Sequence, residues 1–342
     1  MQTSPTQHDR LWSIILAGGE GARMRPFIQR WLGNPRPKQY CTFVGTRSML
    51  QHTLARADRL TAPERKVTVI ALAHRREARW HFEDHPCGTV LLQPTNRDTA
   101  AGIFLPLTYV RARNPEATVV IYPSDHFVYP EDRFVEAVRR AVGAAEWLED
   151  RLVLLGVAPD RLEVEYGWIQ PSRQFGETVS PAVRMVQAFL EKPHLAEAHA
   201  ALVSGALWNT MVLAAKVETL WQLGWRCVPE LMPRFERVAE AFDCPEEDAV
   251  LNAVYQEMPA RNFSSDVLQK APDQVAVIEL SRVVWSDWGK PERVVETLRR
   301  IDRQPAFPLE LLAADPPVPG RCQNTDGEAE HERLPAAVPL IV

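Results

Sequence analysis

An apolar run, Leu11-Trp12-Ser13-Ile14-Ile15-Leu16, passes directly into Ala17-Gly18-Gly19-Glu20-Gly21-Ala22-Arg23-Met24-Arg25-Pro26, and no other stretch narrows so far what the chain can become. The run reads as a buried strand, and glycines at the C-terminal end of such a strand sit where open α/β sheets bind ligands. Three glycines in four positions let backbone N–H groups wrap an anion without interference from Cβ. Arg23, Arg25 and, a few residues on, Lys38 of Pro37-Lys38-Gln39 add fixed positive charge. A polyphosphate suits such a cradle. The Walker pattern is excluded because no Lys-Ser or Lys-Thr pair follows these glycines, and the dinucleotide fingerprint because Met24 stands where its third glycine belongs. The Arg-x-Arg-Pro that follows also reads as a poor helix start.

Beyond this segment, β-type runs near 67–72, 90–93, 118–122 and 152–157 alternate with helix-period segments near 48–60, 99–111 and 131–149. That alternation predicts an α/β fold: a Rossmann-like mixed, mainly parallel sheet with helices on both faces. After residue 160 the order loosens. Strand-like runs at 182–190, 206–214 and 275–285 surround a helical block from about 216 to 256, read as an insertion that walls a substrate pocket. A helix over 291–301 closes the sheet. The expected organisation is a polar, flexible N-terminus over 1–10, one domain over 11–303 and a mobile tail over 304–342, with seven prolines in 305–342 and no periodic apolar face.

Net charge is −5, which argues against a nucleic-acid partner, since such proteins carry a basic face. Any anionic substrate must therefore be held by local cations. The five cysteines are odd in number and scattered, without a Cys-x-x-Cys pair, and no apolar run approaches the roughly 18 residues of a membrane span. Both point to a cytoplasmic protein with no membrane partner.

Two aspartates stand directly after strand-like runs, in Tyr122-Pro123-Ser124-Asp125-His126 and Trp285-Ser286-Asp287-Trp288-Gly289. Carboxylates at strand ends beside the glycine loop can hold Mg²⁺ against a bound triphosphate, the metal taking its other ligands from phosphate and water. Lysine is rare here, six of 39 basic residues, yet Lys38 and Lys192 both fall in these motifs. A compact ammonium suits a crowded phosphate site where a guanidinium fork does not fit.

Leu-Ala-Gly-Gly-x-Gly-x-Arg-x-x-Pro with a downstream Pro-Lys resembles the signature of sugar-1-phosphate nucleotidyltransferases, most closely the mannose-1-phosphate guanylyltransferases, from about residue 11 to 295. The resemblance implies the nucleotidyltransferase fold of GT-A-like type, with a nucleotide-binding part over about 11–160 and a sugar-binding part over about 161–303, and catalytic roles for Arg23, Lys38, Asp125, Lys192 and Asp287, with Mg²⁺ on Asp125 and Asp287. It implies a nucleotide site at Leu16, Ala17, Gly18, Gly19, Gly21 and Ser124, and at Gln93, Asp98, Thr99 and Ala100 of Gln93-Pro94-Thr95-Asn96-Arg97-Asp98-Thr99-Ala100-Ala101, where Thr99 is also a candidate helix cap. The sugar phosphate is assigned to Gly167 of Tyr166-Gly167-Trp168-Ile169, Glu191 and Lys192 of Glu191-Lys192-Pro193, and Asn209 of Leu207-Trp208-Asn209-Thr210. Asn262-Phe263-Ser264-Ser265-Asp266 stands where the family has a Ser-x-Asp element.

The chain departs from that pattern in several places. Ala22, Met24 and Arg25 replace the usual residues around the motif arginine, and Gln29-Arg30-Trp31-Leu32-Gly33-Asn34 lengthens the loop before Pro37. Glu163-Val164-Glu165 replaces Glu-Thr-Gly, and Met211 stands where a glycine is usual. A rival metal site at His74, His81 and His85 lacks the His-Glu-x-x-His order and reads as an exposed helix. The implied reaction joins a nucleoside triphosphate to a hexose 1-phosphate with release of pyrophosphate. The resemblance points to GTP and mannose 1-phosphate. A thymidylyl-, adenylyl- or uridylyltransferase shares nearly every motif, and a nucleotide-sugar-binding regulator without turnover would retain the site; oligomeric state, a homo-oligomer included, stays open.

Overall fold

A computed structural model describes residues 10–83, 87–172 and 183–313. In chain order the elements are β1 (Leu11–Ala17), α1 (Arg25–Leu32), α2 (Met49–Asp58), β2 (Lys66–Ala71), α3 (Arg75–Phe82), β3 (Thr89–Gln93), α4 (Asp98–Arg113), β4 (Thr118–Pro123), β5 (Phe127–Tyr129), α5 (Glu131–Leu148) and β6 (Leu152–Val157). The second half adds β7 (Gly167–Pro171), β8 (Val183–Glu191), α6 (Leu195–Val203), β9 (Leu207–Lys216), α7 (Val217–Cys227), α8 (Met232–Ala241), α9 (Glu247–Glu257), β10 (Val275–Glu279), β11 (Val284–Ser286) and α10 (Pro291–Arg299).

Nine strands form one sheet in the order β3-β2-β1-β4-β9-β6-β10-β8-β7. Side chains alternate across a strand, so each apolar run feeds two cores. Trp12 and Ile14 of β1 enter one layer beside α4, while Leu11, Ile15 and Ala17 enter the other beside α5. The sheet is parallel from β3 through β4. Across β9 it becomes antiparallel, and the pairing of β10 with β6 is again parallel. The nucleotide and acceptor halves read from the sequence thus share one sheet, because β9 of the second half is inserted between β4 and β6.

Several local expectations are corrected. Arg25-Pro26 does begin a helix, with Pro26 in the first turn, where the N–H it lacks would have had no partner within the helix. Much of the lengthened loop, Gln29 to Leu32, is the last turn of α1, closed by Gly33 at φ +75. The run read as one strand over 275–285 divides into β10 and β11, and β11 pairs with β5 as a separate two-stranded ribbon. The chain remains packed beyond Arg303. Ala306 N–H donates to the Phe43 carbonyl at 2.8 Å, and Phe307, 3% exposed, sits among Phe27, Trp31 and Phe43. Of the tail read as mobile, residues 304–313 are therefore part of the packed structure, held by aromatic burial; residues 314–342 and 1–9 lie outside the described residues.

Candidate active site

The β5–β11 ribbon creates the centre. Its register sets Phe127 opposite Ser286, so Asp125 just before β5 and Asp287 just after β11 arrive side by side. Phe127 and Trp288 stack behind them at 4.4 Å and 11°. Lys38 Nζ lies between the two acids, 2.8 Å from Asp125 Oδ2 and donating to the Asp287 carbonyl. Its side chain is only 4% exposed.

Asp287 is the more tightly held carboxylate. Its Oδ1 accepts from the Tyr166 hydroxyl at 2.6 Å, Arg293 Nη1 at 3.0 Å and Gly289 N–H at 3.0 Å; its Oδ2 accepts from Arg23 Nη2 at 2.8 Å. Burial alone would raise both acids, but Lys38 and neighbouring donors outweigh it and hold both below the ordinary carboxylate range. Burial also lowers the His126 imidazole below its ordinary value, and its Nδ1 lies 3.1 Å from the Thr210 carbonyl. Ionised oxygen ligands of this kind fit a hard divalent cation. Among the described residues no set of three His, Cys, Asp or Glu side chains forms a metal cage, so such an ion would need further oxygens from a substrate.

The glycine loop adjoins this centre. Gln39, which the motif reading did not single out, donates from Nε2 to the Ala17 and Gly19 carbonyls at 2.9 and 2.8 Å and fixes the loop to the Pro-Lys segment. Gly21 turns at φ +60 against Lys38, and at Gly18 a Cβ would stand 2.7 Å from Gln93 Oε1. Nothing lies within 4 Å of where a Cβ on Gly19 would stand, leaving the backbone there open. Leu16 and Ser124 close the floor, the Ser124 hydroxyl donating to the Leu16 carbonyl at 2.7 Å. Thr99 does not cap α4: its hydroxyl accepts from Phe263 N–H at 2.8 Å, because α4 already starts one residue earlier, at Asp98. Asp98 takes φ +63, and Ala100 N–H donates to the Arg261 carbonyl.

On the other side, Gly167, Glu191 and Asn209 converge. A Cβ on Gly167 would stand 3.0 Å from Glu191 Oε2 and 3.3 Å from Asn209 Cβ. Burial raises the Glu191 carboxyl above its ordinary value despite Lys192. Asn209 is turned inward: its Oδ1 accepts from Met211 N–H at 2.9 Å, and its Nδ2 lies 3.1 Å from the Met211 sulfur. Met211, where the resembling family has glycine, takes φ +58. Lys192 is 62% exposed, with Nζ 3.6 Å from Glu191 Oε1. His74 and His81 are not an exposed pair: both rings pack on Tyr40, at 5.7 and 5.2 Å, and back the Pro-Lys segment; His85 lies outside the described residues.

Tyr166 stands in the Tyr-Gly motif without a role that the sequence assigns it, and Arg293 carries no sequence signal, being one of many arginines in the chain. Among the described residues no helix is long and apolar enough to cross a membrane.

The nucleotidyl transferase family pattern matches residues 12–304. Xanthan biosynthesis protein XanB of Xanthomonas campestris pv. campestris (strain B100) is 28% identical over 323 residues, 91% of this chain and 63% of that protein. Mannose-1-phosphate guanylyltransferase of Escherichia coli (strain K12) is 28% identical over 288 residues, 82% of this chain and 58% of that protein. The chain thus spans about three-fifths of the length of these curated relatives. The crystal structure of mannose-1-phosphate geranyltransferase from Thermus thermophilus superposes with a TM-score of 0.71 at 28% identity, covering 86% of this chain and 80% of the other. With nearly all of its described fold inside the matched region, the chain belongs to the nucleotidyl transferase family.

Proposed function

We propose that the chain transfers a nucleotidyl group from GTP to mannose 1-phosphate, releasing pyrophosphate and GDP-mannose. The observation that carries nucleotidyl transfer is the placement of two ionised aspartates around buried Lys38, beside an open glycine backbone. The choice of GTP and mannose 1-phosphate rests on the similarity to mannose-1-phosphate guanylyltransferase of Escherichia coli.

In this reading the triphosphate lies along Gly18, Gly19 and Gly21, and Arg23 and Lys38 take its β and γ phosphates. Gln93, Asp98, Thr99 and Ala100 form the end of the pocket that receives the base and ribose. Glu191 and Asn209 orient the sugar hydroxyls where the Gly167 backbone lets the ring approach, and Lys192 draws the sugar phosphate toward the α-phosphorus. A phosphate oxygen of the sugar then forms the new P–O bond as the bond to pyrophosphate breaks. Positioning and charge stabilisation supply the rate, with no covalent enzyme intermediate. Asp125 and Asp287 Oδ2 would hold Mg²⁺, which when bound neutralises charge on the phosphates. We assign the protein to the cytoplasm.

A screen of the nucleoside triphosphates against several sugar 1-phosphates, read as released pyrophosphate, tests this. GTP with mannose 1-phosphate is expected to give the highest kcat/KM. A higher value for another pair would replace the substrates, and binding without pyrophosphate release would replace catalysis by a regulatory role.

A further inference from the structure

Of the cations that touch Asp287 among the described residues, Arg23 has the most exposed side chain. It is 49% exposed on the turn after the glycines, whereas those of Lys38 and Arg293 are 4% and 10% exposed. Its guanidinium is nevertheless already paired with two carboxylates. Nη1 donates to Glu165 Oε2 at 3.0 Å and Nη2 to Asp287 Oδ2 at 2.8 Å. Three donors already occupy Asp287 Oδ1, so Oδ2 is the oxygen left for an outside ligand, and Arg23 covers it. Glu165 sits just before β7, at the position where the resembling family's Glu-Thr-Gly has its glycine; its Oε2 also lies 3.4 Å from Lys290 Nζ and 3.5 Å from Arg293 Nη2.

We propose that Glu165 is a latch that parks Arg23 across the outward oxygen of Asp287, so that in the free protein an internal guanidinium stands where the divalent cation has to bind. This rests on the metal role given above to Asp287. Two cations cannot share one carboxylate oxygen at contact distance without strong repulsion in a poorly solvated site. Metal therefore binds weakly until a partner draws Arg23 away. A triphosphate in the glycine loop is that partner: its oxygens offer the guanidinium paired acceptors like those it leaves. Nucleotide and metal thus become coupled ligands, each easing entry of the other.

Mn²⁺ binding without nucleotide, read from the electron paramagnetic resonance signal of the free ion, tests the latch in the full chain. E165Q should bind Mn²⁺ roughly two- to fivefold tighter than the unmodified protein, the scale of a partly exposed ion pair. The gap should close as ionic strength rises toward about 1 M, where the screening length falls to about 3 Å. R23Q should also tighten Mn²⁺ but weaken GTP measured by calorimetry, whereas E165Q should tighten both. D287N should abolish the Mn²⁺ site. Binding that D287N abolishes and E165Q leaves unchanged or weaker overturns the latch alone. Binding indifferent to D287N overturns both the latch and the metal role of Asp287.

Discussion

On the β1–β4 edge the charged groups already hold one another, while on the β7–β8–β9 edge they wait. Lys38 is buried and touches both aspartates, whereas Lys192 is mostly exposed with one distant partner. The acids differ in the same sense. Neighbouring cations and donors hold Asp125 and Asp287 below the ordinary range, but burial prevails at Glu191 and raises it. The first region is held by short ion pairs and hydrogen bonds around a buried cation; in the second the cation stands largely in solvent beside a desolvated carboxyl. Such a division suits the proposed reaction, in which one side grips the nucleotide and the other admits the sugar phosphate.

The largest expected effect tests what keeps the organised side rigid. Phe307 packs on Phe27 and Phe43, and Phe43 on Trp288 next to Asp287. Phe307→Ala should cost about 3–5 kcal/mol in denaturant unfolding, the range for removing a buried phenyl ring. A cost near zero would mean that residues beyond Arg303 add nothing to the core.

Next come the acids themselves. Asp125→Asn or Asp287→Asn should lower kcat by at least roughly 10²-fold, the scale for one lost electrostatic stabiliser in a preorganised site. Pyrophosphate release with Mg²⁺ supplied measures it, and near-normal turnover in Asp125→Asn would remove that residue from the centre.

The two lysines then separate the halves. Lys38→Met should raise KM for the nucleotide and lower the thermal midpoint, because it leaves Asp125 and the Asp287 carbonyl without their shared partner. Lys192→Met should raise KM for the sugar phosphate by about tenfold, the lower end for a charge-assisted hydrogen bond, and leave the midpoint unchanged. Equal effects on both substrates would erase the contrast.

The smallest effect concerns pH. The folded-state value of Glu191 lies above its unfolded one, so its contribution to stability is fully present below the unfolded value and is lost as pH rises through the folded value. Glu191→Gln should therefore raise the thermal midpoint slightly at neutral pH, and that gain should vanish as pH falls toward about 4.3, the ordinary range for Glu. A gain that persists at low pH would place the cause in packing.

Most of the parallel half was legible because its signals are local. Apolar runs of strand length, the glycines after β1 and the aspartates after β4 and β11 each declare themselves within about ten residues. Fine boundaries failed for an equally local reason: Pro26 counts against a helix start by residue type, although it occupies the one turn that tolerates it.

Sequence alone thus determined the fold class, the glycine loop after β1 and the pair of aspartates, since periodicity and motif spacing travel with the chain. Tertiary structure decided how those parts are held. Tyr166 meets Asp287 across 121 positions and Arg23 meets it across 264, and no local pattern carries such distances. The inward turn of Asn209 follows from Met211 at positive φ, and the latch from Glu165 standing beside Arg23. Burial, not residue type, made Lys38 a fixed charge and left Lys192 an exposed one, because burial is a property of what the rest of the chain packs around each side chain.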